Sequence, residues 1–302
     1  MAVYNFLREG AVHIVFGGNR YNVKVTPELS FGQTFAEDAY EVKTLHDQTK
    51  MFQGTSITKA NPADFSFQVA LTREKDESIV KSLLTDYDTS SGEQLLKSFD
   101  LYFVTKESTF KLEGCVLTSG DFMFDKGKPL TLSVSGQGKK LTRLASDFSL
   151  SGSLQSASAT RTPVKALLDV EVGGSDVTNL VSCTLSVQNN INWTPYETLH
   201  TSLSVTNASN AMYPSDYSLG ERVVSGNITQ YIGSNNSSTV QSFNTNTSVR
   251  VKTLFDSNLS DTDTAQDDTF LDANLTSCMF TKRSNVNEVF TQTFDYRLIT
   301  SP

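Results

Sequence analysis

The sequence predicts a mainly β protein made of two similar units in tandem, and three observations predict it. Thr, Ser, Val and Phe recur in short alternating runs, as in Ala63-Asp64-Phe65-Ser66-Phe67-Gln68-Val69-Ala70-Leu71, which give a strand one apolar face. Long stripes of helical period are scarce. Landmarks also recur at near-constant spacing: Gly17-Gly18 and Gly173-Gly174 lie 156 residues apart, Leu29-Ser30 and Leu185-Ser186 156, and Leu45-His46 and Leu199-His200 154. A repeat of this length makes each half a structural unit, and 302 residues suit two domains of roughly 100 to 200 residues. The expected division is domain 1 at 1–145, a linker at 146–163 and domain 2 at 164–302.

In the first unit, Ala11 to Phe16 and Tyr21 to Val25 read as a hairpin around Gly17-Gly18-Asn19-Arg20. A strand from Leu29 to Phe35 leads into a polar excursion of roughly 25 residues, longer than an inert connection needs. The Phe65 strand closes it. Ile79, Val80, Leu83 and Leu84 then share a helical face, with Asp76 placed to cap. Strands are expected at Ser98–Val104, Thr109–Leu117 and Leu130–Gly136. In the second unit Val223–Tyr231 answers the Phe65 strand, Asn236–Phe243 answers the helix, and Leu275-Thr276-Ser277-Cys278 answers Leu112-Glu113-Gly114-Cys115. Ala145 to Thr162 is Ser/Ala-rich and reads as an extended surface linker.

The formal net charge of −8 argues against a surface that grips nucleic-acid phosphates. Residues 1–150 carry 17 basic and 19 acidic side chains, residues 151–302 carry 8 and 14, so the excess lies in the second half. Acidic balance suits a conduit along which DNA slides. Three cysteines without a CxxC pair exclude a disulfide framework. The N-terminus lacks a basic region before an apolar core, and no stretch nears 18 apolar residues, so a cytosolic chain without a membrane span is expected.

Three segments carry a family resemblance: Ser30-Phe31-Gly32-Gln33 entering the first excursion, Ala63-Asp64-Phe65-Ser66-Phe67 leaving it, and Asn189-Asn190-Ile191-Asn192-Trp193-Thr194-Pro195. With the doubled β plan around them, the chain resembles the siphophage major tail tube proteins of duplicated-domain type, as in coliphages of the T-five kind. The resemblance implies two tandem tail-tube domains, each a β-sandwich or split barrel with one flanking α-helix and a long inter-strand arm. It further implies homotrimeric, pseudo-hexameric rings stacked into a hollow tube through which double-stranded DNA passes without specific binding. Tape-measure, tail terminator and tail tip proteins are the implied partners, and host cytoplasm during assembly, then the virion tail, the implied location. Closing inner sheets into a barrel would also remove exposed edges.

The arms supply the candidate site. Phe35, Tyr40, Met51 and Phe52 in the first, and Trp193, Tyr196, Tyr213 and Tyr217 in the second, are large apolar groups among polar neighbours, expected to anchor the arms on adjacent subunits or rings. A loop folded over its own domain is the alternative, as is a buried strand-edge ring for Trp193. His13, His46 and His200 lack partners at metal-ligand or acid–base spacing. Five carboxylates in 256–268 lack the Gly and Glu of a calcium loop and read as a solvated acidic hairpin. No P-loop, nucleophile elbow or HExxH occurs, so no enzyme, cofactor or metal is expected. A virion receptor-binding or decoration protein is the alternative function.

Overall fold

The computed structural model describes residues 10–44, 47–71, 75–90, 94–124, 130–155, 168–194, 213–234, 246–254, 269–286 and 289–300. In the first half these form β1 (Ala11–Phe16), β2 (Asn19–Val23), β3 (Val25–Gly32), β4 (Phe35–Thr44), β5 (Asp47–Ala60), β6 (Ala63–Ala70), α1 (Lys75–Thr85), β7 (Tyr87–Asp88), β8 (Leu95–Leu96), β9 (Phe99–Val104), β10 (Thr109–Met123), β11 (Thr131–Gly138), β12 (Lys140–Leu144) and β13 (Ser153–Leu154). The second half adds β14 (Leu168–Val172), β15 (Ser175–Asp176), β16 (Leu180–Thr194), β17 (Asp216–Tyr231), β18 (Thr247–Leu254), β19 (Thr269–Val286) and β20 (Phe290–Thr300). The protein is mainly β, as expected.

The same six antiparallel pairings occur in each half. In the first they are β1·β2, β1·β9, β9·β10, β10·β11, β11·β6 and β6·β3. In the second they are β14·β15, β14·β18, β18·β19, β19·β20, β20·β17 and β17·β16. Two long strands make this possible by serving two sheets. The first part of β10 pairs with β9 and β12, its last part with β11 and β16. Likewise β19 pairs first with β18, then with β20. Each strand turns at a residue with positive φ, Gly114 (58°) or Ser277 (135°), followed by a buried cysteine whose thiol donates to the carbonyl three residues back, Leu112 or Leu275. Counted from these cysteines, Phe31 and Leu185 hold corresponding ladder positions, two residues away from the sequence correspondence of Leu29 with Leu185.

The halves join edge to edge. Ser119–Met123 of β10 pair with Thr184–Gln188 of β16, so one sheet runs β3-β6-β11-β10-β16-β17-β20-β19. One face of it is core: Phe65, Phe67, Val69, Phe122, Leu132, Val134, Leu185, Val187, Ile228, Phe294 and Tyr296 are buried with Val12, Ile14, Leu101, Val170 and Val249 of the companion strands. Two glycines fit this core by complementary exchange. Gly136 of β11 faces the Phe65 ring of β6, whereas Gly226 of β17 faces the Tyr296 ring of β20.

The helix spans the expected apolar face, Val80, Leu83 and Leu84 being fully buried, with Leu84 against Gly120 of β10. It begins at Lys75, so Asp76 lies inside the first turn instead of at the cap. The first excursion is a β-hairpin, β4–β5, where a polar loop was expected; its pairing is regular from Glu37↔Ile57 to Lys43↔Met51, with a bulge between Ala36 and Glu37. The strand at Lys140–Leu144 was not expected; it doubles back from β11 onto β10. Asn236–Phe243, the acidic 256–268 stretch, His46, His200 and linker residues 156–163 lie outside the described residues.

Candidate interface: arm bases, seam and free edges

Both arms leave the same end of the long sheet, because β3 and β16 run in the same direction with β6, β11 and β10 alternating between them. Gln33 fixes the first base: its amide donates to the carbonyls of Asn61 (2.9 Å) and Lys139 (3.2 Å) and accepts from the Leu141 N–H (2.9 Å). The motif Ser30-Phe31-Gly32-Gln33 thus ends in a clamp. In the second arm β16 and β17 simply continue, pairing Trp193 with Tyr217.

The structure brings four of the candidate residues together in two pairs. The rings of Trp193 and Tyr217 meet edge-on at 5.3 Å. The Trp193 indole N–H donates to Gln137 of the first half (2.9 Å), so its partner is distant in sequence, not local. The Tyr217 hydroxyl donates to the Leu96 carbonyl (3.0 Å) and accepts from the Leu96 N–H (3.1 Å); burial pushes its pKa up to about 12. Phe35, 42% exposed at the base of the first arm, meets Tyr213 edge-on at 6.5 Å, and the Lys140 ammonium lies 4.7 Å from the Tyr213 ring. Tyr40, Met51 and Phe52 lie on the paired strands β4 and β5. Tyr196 lies outside the described residues.

Sequence reasoning missed the residue that locks the seam. Arg222 is buried and donates to Asn189 Oδ1 (2.6 Å) and to the carbonyls of Thr85 (2.6 Å) and Leu84 (3.2 Å), its guanidinium 3.9 Å from the Tyr87 ring. Asn189 in turn donates to the carbonyls of Leu84 (3.3 Å) and Leu117 (3.0 Å). The last carbonyls of α1 need donors, and the helix has no basic residue in its last turn. A cation from the other half supplies them. Burial lowers the Arg222 pKa, nearby Tyr87 and Asp86 opposing. A helix ending in Thr85-Asp86 without a glycine behind it signals that its last carbonyls need donors, but does not say which residues supply them.

The other face of the long sheet is polar and cross-linked to itself. Ser30 bonds Ser66, Gln68 donates to Ser133, Ser119 bonds Ser135, Ser186 donates to Asp121, and Thr229 bonds Thr293. Among its described residues lysine is absent; its cations include Arg283, which pairs with Asp295 (3.5 Å), and the exposed Arg297 of β20. Among the described residues, at the two ends of the sheet, β3 pairs only with β6, and Met279–Val286 of β19 only with β20.

His13 sits half-buried on β1, its pKa lowered by burial, then by Arg20 and Lys24. Asp169, Glu171 and Asp176 converge on β14 and β15, where Arg250 approaches Glu171 (3.5 Å) and binds Asp272 bidentately. A cleft of about 440 Å³ is lined by Ser30, Asp64, Ser66, Thr118, Ser135 and Gln137 with glycines and phenylalanines between them. No described helix is long and apolar enough to cross a membrane.

Fold and surface together define a mainly β protein with a projecting hairpin and unpaired sheet edges. The chain belongs to the Bacteriophage Baseplate Tube Protein Family, whose model matches residues 2–302. It is a structural, tail-tube-related phage protein, which is coarser than the siphophage major tail tube subunit the sequence suggested. Two cryo-EM structures show distant likeness. The anti-feeding prophage baseplate, 6-fold symmetrised, is 10% identical over 49% of this chain and 98% of that one, with a TM-score of 0.34. The anti-feeding prophage tube-terminating cap is 9% identical over 48% and 93%, with a TM-score of 0.33. Values this low carry no argument. No curated protein matches.

Proposed function

We propose that the chain is a covalently joined pair of tube domains, and that three chains close into a pseudo-sixfold ring of the tail tube at its baseplate end. The observation that carries this reading is the seam. One half joins the next through the last part of β10 and the corresponding part of β16. The strands that hold the same ladder positions at the chain's two ends, β19 and β3, are the two left with an unpaired edge. Repeating the internal seam between chains pairs Thr281 with Thr34, Arg283 with Gly32 and Asn285 with Ser30, antiparallel. Unpaired edges template association, and ring closure consumes both.

On this reading the polar face lines the lumen. Its hydroxyls and carboxylates bond one another, and its described cations are few, Arg283 beside Asp295 and Arg297 without a neighbouring lysine, a sparse set that suits passage of double-stranded DNA without specific binding. The role is structural, with no catalytic step, and the partners are sister chains and the adjoining tail proteins.

The test is a double variant, Gly32→Cys with Arg283→Cys. Directly opposed strand positions put Cβ atoms about 4.5–5.5 Å apart, within disulfide reach after small adjustment. A Cβ at Gly32 meets nothing within 4 Å. Mild oxidation should give covalent trimers that resist denaturant, with rings in negative stain and a native mass three times the 33.2 kDa of one chain. Particles of one chain only, or six-chain rings, would overturn the proposal.

A further inference from the structure

The shared pairings make the two halves comparable strand by strand, and one device of the first half has no described counterpart in the second. After β11 the chain lays β12 along the first part of β10, from Glu113↔Lys140 to Thr109↔Leu144. It then crosses the face away from the core: the Tyr102 hydroxyl meets Ser151 (2.9 Å), Arg20 donates to the Leu150 carbonyl (2.9 Å), and Gly152 lies against Val15. Finally β13 pairs in parallel with β2. One strap, residues 140–154, thus closes both edges of the sheet β2-β1-β9-β10 and leaves Tyr102 only 1% exposed.

The corresponding sheet of the second half is β15-β14-β18-β19, and among the described residues both its edges are bare. Residues 271–278 of β19 pair with β18 alone, and β15 with β14 alone. Counted from Cys115 and Cys278, residues 272–276 answer to residues 109–113, the stretch that β12 covers. Leu112, opposite Leu141 of β12, is fully buried, whereas its counterpart Leu275 and the nearby Leu271 each keep 7% exposure. The uncovered face is charged. Alternation with the buried valines of β14 and β18 turns Asp169, Glu171, Arg250 and Lys252 outward, with Asp176 opposite Glu171 and Asp272 opposite Lys252. Four carboxylates share this face with two cations, and Arg250 is already engaged by Asp272 and Glu171.

We propose that these two edges form a strand-addition site for another protein of the tail, whose extended, basic segment runs antiparallel along residues 272–276 and crosses the charged face to β15. Its chemistry follows from the place it fills. An added strand pairs the bare backbone edge, a leucine opposite Leu275 completes the core as Leu141 does beside Leu112, and lysine or arginine beyond it complements the carboxylate excess. A second copy of the chain cannot supply the segment, because its own strap is already paired to its own β10 and β2.

The strap itself is the probe. A synthetic peptide of residues 138–155 with Thr142→Cys is offered, under mild oxidation, to the full chain carrying Asn274→Cys. Thr142 lies opposite Lys111, and Asn274 is the counterpart of Lys111, so the register sets the two thiols directly across from each other. Asn274 is exposed and the three native cysteines are buried. Mass spectrometry should find one peptide per chain joined at position 274, and at least about tenfold less when Leu141→Cys or Arg143→Cys replaces Thr142→Cys, since those positions point to the other face. In parallel, fluorescence anisotropy of the labelled, cysteine-free peptide with the unaltered chain should show saturable binding that weakens at least about threefold between about 0.05 and 0.5 M salt. Trapping that ignores the cysteine position, or binding no stronger than that of a scrambled peptide, overturns the proposal. Hydrogen exchange of residues 271–276 in the chain alone as slow as that of residues 109–113 also overturns it, because the edge is then already covered. All three readouts use single chains, so their outcome is separate from that of the ring test.

Discussion

Arg222 is the side chain on which the joint between the halves most depends, and its removal has a computable cost. Arg222→Ala leaves the Thr85 carbonyl and Asn189 Oδ1 without their 2.6 Å donors, while Leu84 keeps the Asn189 amide. A buried acceptor without a donor costs about 1–3 kcal/mol. The lost stacking on Tyr87 adds about 0.5–2 kcal/mol. The two orphaned acceptors and the lost stacking together come to about 2.5–8 kcal/mol, a large share of the roughly 5–15 kcal/mol that holds a domain folded. Urea unfolding, followed by fluorescence of the only tryptophan, which sits at this seam, should show the midpoint falling with an unchanged slope. Arg222→Lys should recover only part, because one ammonium cannot reproduce three forked donors. A loss below about 1 kcal/mol for the alanine variant, or a lysine variant equal to wild type, would refute the argument that orphaned acceptors dominate.

Three further expectations follow from single contacts. Gly226→Ala would place a Cβ 2.0 Å from the Thr184 carbonyl and 2.5 Å from the Tyr296 hydroxyl, whereas at Gly220 the nearest atom is 3.3 Å away; thermal unfolding should show a cost of about 2 kcal/mol or more at the first and far less at the second. Ser277 holds φ 135° where its counterpart is Gly114, so Ser277→Gly should raise stability by about 0.5–1 kcal/mol in the same assay. Burial pushes the Cys183 thiol from 9.0 up to about 12. Below pH 9 both states keep the proton; between 9 and 12 only the unfolded chain releases it, so stability falls with rising pH by up to about 1.4 kcal/mol per unit. Cys183→Ala should flatten the urea-midpoint profile between pH 9 and 11.

The strands were legible where one face is buried and the other wet. Ala63–Ala70 alternates in burial residue by residue, and the sequence shows the same alternation. The recurring Leu-x-Gly/Ser-Cys segments were legible too, though not their meaning, which is the point where a strand passes between sheets. The first arm read as a loop because charged and small residues alternate there with isolated aromatics, which leaves little hydrophobic contrast along the sequence. Candidate aromatics were found by size and isolation, which locates Phe35, Trp193, Tyr213 and Tyr217 at arm bases but does not reveal their partners Gln137, Leu96 and Lys140. Arg222 and Asn189 stayed hidden for the same reason. Their role is set by a helix end more than a hundred residues away, and no local pattern records that.

The two kinds of seam in the proposed ring differ in chemistry, and the covalent linkage explains why. Counting on from the last paired positions of β3 and β6, Gly32 and Asp64, the residues of the first half that answer Asn189 and Arg222 are Phe35, opposite Ala60, and Asn61, whose N–H donates to the Thr34 carbonyl. A buried, multiply hydrogen-bonded arginine suits a joint made once, as the chain folds, because its desolvation is offset within the same cooperative event. At a joint made by association, that cost is set against binding, together with the ordering of a long side chain. An exposed phenylalanine carries neither penalty and contributes apolar area on contact. In the proposed ring, joining the two halves in one chain therefore does more than halve the number of subunits. It frees every second seam from the constraints of association, so that polar locking can concentrate there while the other seam stays apolar and assembles between folded chains.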